Sequence, residues 1–172
     1  MQFIAEAFGA LAVILNFIGY RQNTVEQYLL VSSGALLSVS IHFFMLDAMA
    51  AGIGCMLASI RNIVALKYRG KEVLFIFVAA NLSFLAYEWF ALDHGWLIFV
   101  AYASSLIFTI GSIVLRNATK IRQWFILAES LGLVYAIMVG SIFGTVFNIS
   151  NLSSILIKLV QEKRQSQQHE PD

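Results

Sequence analysis

The chain has 172 residues, of which 59% are apolar and 12% charged, and its mean hydropathy is +0.78. A soluble domain carries charge on about a quarter of its residues, so this composition excludes a soluble protein and indicates a polytopic membrane protein. The net charge of +1 comes without a long basic run, so we expect no nucleic acid among the partners.

The apolar residues form segments long enough to cross a hydrocarbon core, which needs about 20 residues per helix. In chain order they cover about residues 2–20, 27–46, 48–66, 72–90, 96–115, 123–139 and 141–160. Polar connections separate most of them, but the runs around Asp47 and around Gly140 are nearly continuous and too long for one span. We therefore expect a tight turn at each of these residues and an all-α bundle of seven transmembrane helices. Without the two turns the chain has five or six spans.

The basic residues test this count, because all eleven fall on one side of a seven-span topology. They are Arg21, Arg61, Lys67, Arg69, Lys71, Arg116, Lys120, Arg122, Lys158, Lys163 and Arg164. The other side carries Asp47, Glu88, Asp93 and His94 but no Lys or Arg. The positive-inside rule then places the N-terminus outside and the C-terminus in the cytoplasm. Residues 161–172 read as a polar, disordered cytoplasmic tail.

The order of basic connections and tight turns recurs along the chain. Segments 1–3 and segments 5–7 each read as helix, basic connection, helix, tight turn, helix and basic end. This order predicts parallel repeats at residues 1–71 and 94–160, joined by helix 72–90, within one transmembrane domain of residues 1–160. The alternative is that any seven-span chain with short loops has this layout.

Three short stretches carry a family resemblance: His42-Phe43-Phe44 before the first tight turn, Ala51-Gly52 after it, and Ile60-Arg61. With these stretches and its length, the chain resembles the YgjV-type inner membrane proteins of bacteria over most of the sequence. The resemblance implies a location in the bacterial inner membrane, and it implies no particular chemistry.

The three-plus-one-plus-three layout is also similar to that of SWEET sugar transporters and PnuC-type vitamin transporters. That resemblance implies a substrate site between two triple-helix bundles, with asparagines of the third and seventh helices in it. Here those helices carry Asn62, Asn148 and Asn151, and with Ser59 these are the candidate substrate-binding residues. The chain departs from both families because its single proline, Pro171, lies in the tail and cannot hinge a bundle.

Arg61 and Glu129 lie well inside predicted spans, where charge is expensive and indicates function by default. Arg61 precedes Lys67 by six residues, which places it roughly 9 Å inside the cytoplasmic end. Glu129 follows Arg122 by seven residues and lies at a similar depth. We predict an ion pair between Arg61 and Glu129. The alternative is an arginine that snorkels to the interface or packs between helices.

Five further polar residues need an interpretation. Glu6 is either interfacial or a proton-responsive group at the outer mouth. His42 and Asp47 either form a local hydrogen bond or take part in proton coupling. Asn16 and Asn81 are single polar groups, and we interpret them as packing contacts.

The chain carries no catalytic signature, because HExxH, GxSxG, histidine-box and Gly-rich phosphate motifs are all absent from the sequence. We expect no enzyme activity, no cofactor and no metal site. The first functional hypothesis is a small-solute transporter whose partners are the lipid bilayer, a small polar solute and a second copy of the chain. The alternative is a non-transporting scaffold or accessory subunit, which the lack of hinge prolines favours. A polar cavity lined by Asn62, Asn148 or Asn151 would favour transport over helix-to-helix bonding.

Overall fold

The computed structural model describes residues 2–19, 25–68, 70–115 and 118–168. Within these ranges the chain is all-helical, with seven helices. They are α1 Gln2–Gly19, α2 Val25–Met45, α3 Met49–Val64, α4 Lys71–Phe90, α5 Leu97–Val114, α6 Ala118–Met138 and α7 Ile142–Gln168. The predicted fold class and helix count are confirmed.

The helices fit a membrane bundle. Four of them, α4 to α7, are long and apolar enough to span a membrane by length and composition. The other three contain shorter apolar helices, at Phe3–Gly19, Leu29–Met45 and Met49–Val64. Large apolar side chains point outward along the bundle, among them Phe3, Phe75 and Phe90. An outer surface of this kind is stable in lipid and would be unfavourable in water.

Two boundaries differ from the prediction. Helix α6 begins at Ala118, earlier than the predicted residue 123, and α7 continues to Gln168. The predicted disorder of the tail is therefore wrong for residues 161–168, and residues 169–172 lie outside the described residues. The added turns are rich in Gln, Glu, Lys and Arg, which have high helix propensity. Glu162 also ties them to α6, because it accepts hydrogen bonds from Thr119 at 2.9 Å and from Arg122.

Both predicted tight turns are confirmed. Helix α2 ends at Met45 and α3 begins at Met49, and α6 ends at Met138 before α7 begins at Ile142. The two turns close in the same way, with the amide after the turn donating to the carbonyl five residues earlier. These bonds are Ala48 to Phe43 and Ser141 to Ala136, both at 2.9 Å.

Each turn reverses the chain through one residue in the left-handed region, Asp47 with φ of 57° and Gly140 with φ of 73°. A Cβ built on Gly140 would meet no heavy atom within 4 Å, so only the backbone conformation resists a side chain there. We expect Gly140→Ala to lower the free energy of unfolding by about 1 kcal/mol, and Asp47→Gly to leave it unchanged or raise it. Reversible unfolding in detergent measures both, and equal values for Gly140→Ala and the wild type would contradict the prediction.

The helices pack in the same order within two triplets, α1–α3 and α5–α7. Helix α2 packs between α1 and α3, α6 packs between α5 and α7, and the triplets meet through α1 on α7 and α3 on α5. Helix α4 packs against α5 and α3. Lengths also match, with 18 residues in α1 and α5 and 21 in α2 and α6. The repeats at residues 1–71 and 94–160 stay a prediction, which these matches support.

Candidate functional site

A cavity of about 170 Å³ lies between the two triplets. All six helices of the triplets line it, and no described residue of α4 does. Its wall is mainly apolar, with Phe43, Phe108, Phe125, Phe147 and Tyr135 among the larger side chains. The polar members of the wall are Asn16, Ser32, Arg61, Asn62, Ser104, Ser105, Ser112, Glu129, Asn148 and Asn151.

Three of the four predicted substrate-binding residues line this cavity. Asn62 donates to the Ser32 hydroxyl at 3.3 Å, and Asn148 donates to the Gly144 carbonyl of its own helix at 2.7 Å. Asn151 takes part in a chain of hydrogen bonds across three helices. Ser59 is not among the lining residues.

Ser59 instead joins α3 to α2. Its hydroxyl donates to the Ser33 carbonyl at 2.8 Å and lies 3.0 Å from the Ser33 hydroxyl. Each serine is buried. These bonds give Ser59 a packing role between α3 and α2.

An acidic cluster, which we define as Glu129, Asn151 and Asn16, joins α6, α7 and α1. The Asn151 amide donates to Glu129 Oε1 at 2.7 Å, and the Asn16 amide donates to Asn151 Oδ1. Glu129 is only 4% exposed. This bond agrees with the interpretation of Asn16 as a packing contact between helices, and it also holds a cavity-lining amide in place. A helical wheel of α1 alone does not reveal a partner 135 residues away.

A basic cluster, which we define as Arg61, Asn62, Ser32 and Thr109, joins α3, α2 and α5. Arg61 Nη1 donates to the Thr109 hydroxyl, and Nη2 donates to the Asn62 carbonyl oxygen, each at 3.2 Å. Arg61 is 5% exposed. A snorkelling arginine would have its guanidinium in solvent, so that interpretation is wrong and the packed one agrees with the structure.

Arg61 and Glu129 line the same cavity from different helices. The hydrogen bonds described above lead from Arg61 to α5 and from Glu129 to α7. The ion pair between them stays a prediction. Their shared cavity nevertheless combines one guanidinium and one carboxylate in a largely apolar enclosure.

Ser105 is a further lining residue, and no sequence pattern selects it. Its hydroxyl oxygen is buried and has no hydrogen-bond partner among the described residues. The neighbouring Ser104 hydroxyl, by contrast, donates to the Ala128 carbonyl at 2.8 Å. A buried hydroxyl without a partner is costly, so Ser105 offers a bond to whatever enters the cavity.

The three predicted proton-coupling residues lie outside the central cavity. The predicted local bond between His42 and Asp47 is wrong, because His42 is buried and turned inward. Its Nδ1 lies 2.8 Å from the Ala5 carbonyl oxygen, and its Nε2 lies 2.8 Å from the Ser141 hydroxyl. Asp47 is exposed in its turn and Glu6 is half-buried. A proton-coupling role for any of the three stays a prediction.

A second pocket, also of about 170 Å³, lies at the end of the bundle that carries Asp47. Its central group is Glu88, which is 0% exposed. The Tyr102 hydroxyl donates to Glu88 Oε1 at 2.5 Å, and His94 Nδ1 lies 2.8 Å from Oε2. Tyr135 lines both this pocket and the central cavity, so it lies in the wall between them. In the sequence Glu88 looked like a charge of the outer face, because its partners come from the next helix and connection.

No three His, Cys, Asp or Glu residues in the described part of the chain are grouped so that they could hold a metal ion. The single cysteine, Cys55, lines the central cavity as a free thiol. The described side chains of the cavity wall offer charges and hydrogen bonds for recognition.

Comparison with known proteins agrees with the membrane character of the bundle. No curated protein and no solved structure matches the chain. A family model described as a bacterial inner membrane protein matches residues 3–166, which is nearly the whole sequence. The chain therefore belongs to the Imp-YgjV family of bacterial inner membrane proteins.

Proposed function

We propose that this protein is a small-solute transporter whose binding site is the central cavity. The observation that carries the proposal is the composition of the cavity wall, in which both triplets contribute polar side chains to one buried space. Transporters built from parallel repeats bind their substrates at the interface of the repeats near the bilayer midplane. The position of α4 outside the cavity wall suits a helix that links the two halves.

The energetics of the buried carboxylate support this proposal over a scaffold. A charged side chain inside a membrane helix costs about 2.5–3.5 kcal/mol on insertion scales. Interhelical hydrogen bonds in membrane proteins contribute on average about 0.6 kcal/mol each. The bond from Asn151 to Glu129 thus offsets only part of that cost. A scaffold would be more stable with an apolar residue here, whereas a binding site uses the charge.

The wall between the two pockets suits alternating access. Tyr135 separates the central cavity from the second pocket, and its ring packs edge-on against Phe43 with centroids 6.3 Å apart. Movement of these two aromatic rings would connect the cavity to the Asp47 end. The proposed gate does not require a proline hinge, because rigid triplets can rock about the contacts that join them.

Ligand screening of the purified protein tests the proposal. A solute that binds the folded state raises the apparent stability, by about 2.7 kcal/mol at a hundred times Kd. We expect a stabilising solute among sugars, nucleosides, vitamins and amino acids, and we expect uptake of that solute by proteoliposomes. Asn62→Ala should remove the stabilisation, and Ser59→Ala, outside the cavity, should retain it. A blank panel with no uptake would contradict the transporter proposal.

The same proposal includes the orientation of the chain in the membrane, with the N-terminus outside and the C-terminus in the cytoplasm. Its support is that all eleven Lys and Arg residues fall on one side of the seven-span order. We expect a C-terminal green fluorescent protein fusion to fluoresce and a C-terminal alkaline phosphatase fusion to be inactive. The reverse pattern would contradict the orientation and leave the helix count untouched.

A further inference from the structure

The two polar clusters of the cavity occupy equivalent places in the two triplets. The basic cluster comes from α2, α3 and α5, and the acidic cluster from α6, α7 and α1. When α1–α3 is matched to α5–α7, the first set of helices corresponds to the second. Each set of helices thus holds a polar cluster around one charged residue, Arg61 in the first and Glu129 in the second. A cavity built in this way has a positive wall and a negative wall.

From this arrangement we propose that the cavity binds a small zwitterion of the amino-acid type. The inference rests on the transporter proposal and names its substrate class. The carboxylate of the ligand would lie at Arg61, and its ammonium group would lie at Glu129. The apolar and aromatic remainder of the cavity wall would hold an apolar side chain.

The geometry at Arg61 suits a carboxylate. The guanidinium donates to neutral oxygens of Thr109 and Asn62, and these bonds fix its plane against α3 and α5. A guanidinium carries five N–H donors in a rigid fork that matches the two oxygens of a carboxylate. The Asn62 amide is itself held by Ser32, so the donors on this wall are ordered before a ligand arrives.

The geometry at Glu129 suits an ammonium group. The Asn151 amide donates to Oε1 at 2.7 Å and holds the carboxylate in the cavity wall. An ammonium group has three donors and no acceptor, so it satisfies a carboxylate oxygen and supplies the counter-charge together. A buried carboxylate without a counter-charge is unfavourable in an apolar enclosure. A neutral sugar carries no such counter-charge.

Ser105 adds an independent sign that a ligand belongs in this cavity. Its buried hydroxyl lines the cavity and lacks a hydrogen-bond partner in the part of the chain that the structure describes. The side chain is 7% exposed. A polar group so enclosed is satisfied by a molecule inside the cavity, and it lies on α5, the same helix as Thr109 of the basic cluster.

Four probes that share one apolar body test the inference. They are leucine, with both charges; leucinamide, with the ammonium alone; 4-methylpentanoate, with the carboxylate alone; and 4-methylpentanamide, with neither. Binding to the detergent-purified protein is measured by thermal shift and calorimetry, alongside glucose and a nucleoside. We expect leucine to bind at least about tenfold more tightly than any of its three analogues. An analogue that binds as tightly as leucine would overturn the inference.

Variants assign the charges to the two walls. Glu129→Gln retains the shape and the Asn151 contact, and it should make 4-methylpentanoate bind as well as leucine. The matched control is Glu6→Gln, the same change at a carboxylate outside the cavity, which should leave the preference for leucine unchanged. Arg61→Lys keeps the positive charge but lacks the forked N–H donors of the guanidinium. It should weaken the binding of leucine and retain the folded state. Unchanged selectivity in Glu129→Gln would also overturn the inference.

The outcomes separate this inference from the transporter proposal on which it depends. If glucose or the nucleoside is bound and taken up and leucine is not, the inference of a zwitterionic substrate is overturned and the transporter proposal is supported. No binding and no uptake across the whole panel would contradict the transporter proposal itself. Binding of leucine without uptake by proteoliposomes would support the zwitterion site and count against transport.

Discussion

Replacing Gly9 by leucine is expected to prevent α1 from packing against α7. A Cβ on Gly9 would lie 2.6 Å from the Cβ of Phe143 and 3.0 Å from His42 Nδ1. The Phe143 Cβ is fixed to its backbone and cannot rotate away, so the two helices must separate. Overpacking usually costs 1–3 kcal/mol, and with the loss of a helix contact we expect about 3 kcal/mol or more. Small residues allow helices in membranes to approach this closely.

Helix α1 also contacts α2 through a hydrogen-bond partner of His42, and this interaction should be disturbed when α1 is displaced. Ala5 lies one helical turn before Gly9, and its carbonyl oxygen is 2.8 Å from His42 Nδ1. The predicted result is a low yield of monodisperse protein and a reduced melting temperature in detergent. Gly95→Leu is the matched control, because a Cβ there meets nothing within 4 Å. Equal melting temperatures of the two variants would show that α1 and α7 do not depend on close approach at Gly9.

The elements of this fold could be predicted because two strong physical constraints act on the sequence. The thickness of the hydrocarbon core fixes the length of a span, and the charge asymmetry fixes which connections share a side. Together they required turns at Asp47 and Gly140, and both turns are present. The end of α7 was missed because hydropathy measures where a helix leaves the membrane. Polar residues with high helix propensity can continue it further.

The site could be predicted only in part, for a reason of geometry. Polar residues within spans are readily selected, and Asn62, Asn148 and Asn151 do line the cavity. Which helix each polar side chain faces depends on the rotation of its own helix about its axis and on the neighbouring helices. Hydropathy determines neither. Ser59 lies three residues before Asn62 yet bonds to Ser33 on α2. Asn16 had no local signal, because its partner comes from the far end of the chain.

Replacing Glu88 by alanine is the second change for which we expect a large effect. The carboxylate accepts a bond from the fully buried Tyr102 hydroxyl and contacts His94, so it joins the end of α4 to α5 and to their connection. Removing it leaves a buried hydroxyl without its acceptor and a cavity beside it. Breaking a buried charged contact costs about 3–5 kcal/mol, so we expect a loss of about 3 kcal/mol in the free energy of unfolding.

Smaller changes at the same contact separate two contributions to the loss of stability, the missing hydrogen bond and the missing side-chain volume. Glu88→Gln retains an acceptor and should cost less than Glu88→Ala. The double variant Glu88→Ala with Tyr102→Phe should be less destabilised than the sum of its two single changes, because both remove the same bond. Glu72→Gln, at an exposed carboxylate in the first turn of α4, is the matched control and should change stability by less than about 0.5 kcal/mol. Additive effects of Glu88→Ala and Tyr102→Phe would show that the two side chains stabilise α4 and α5 independently.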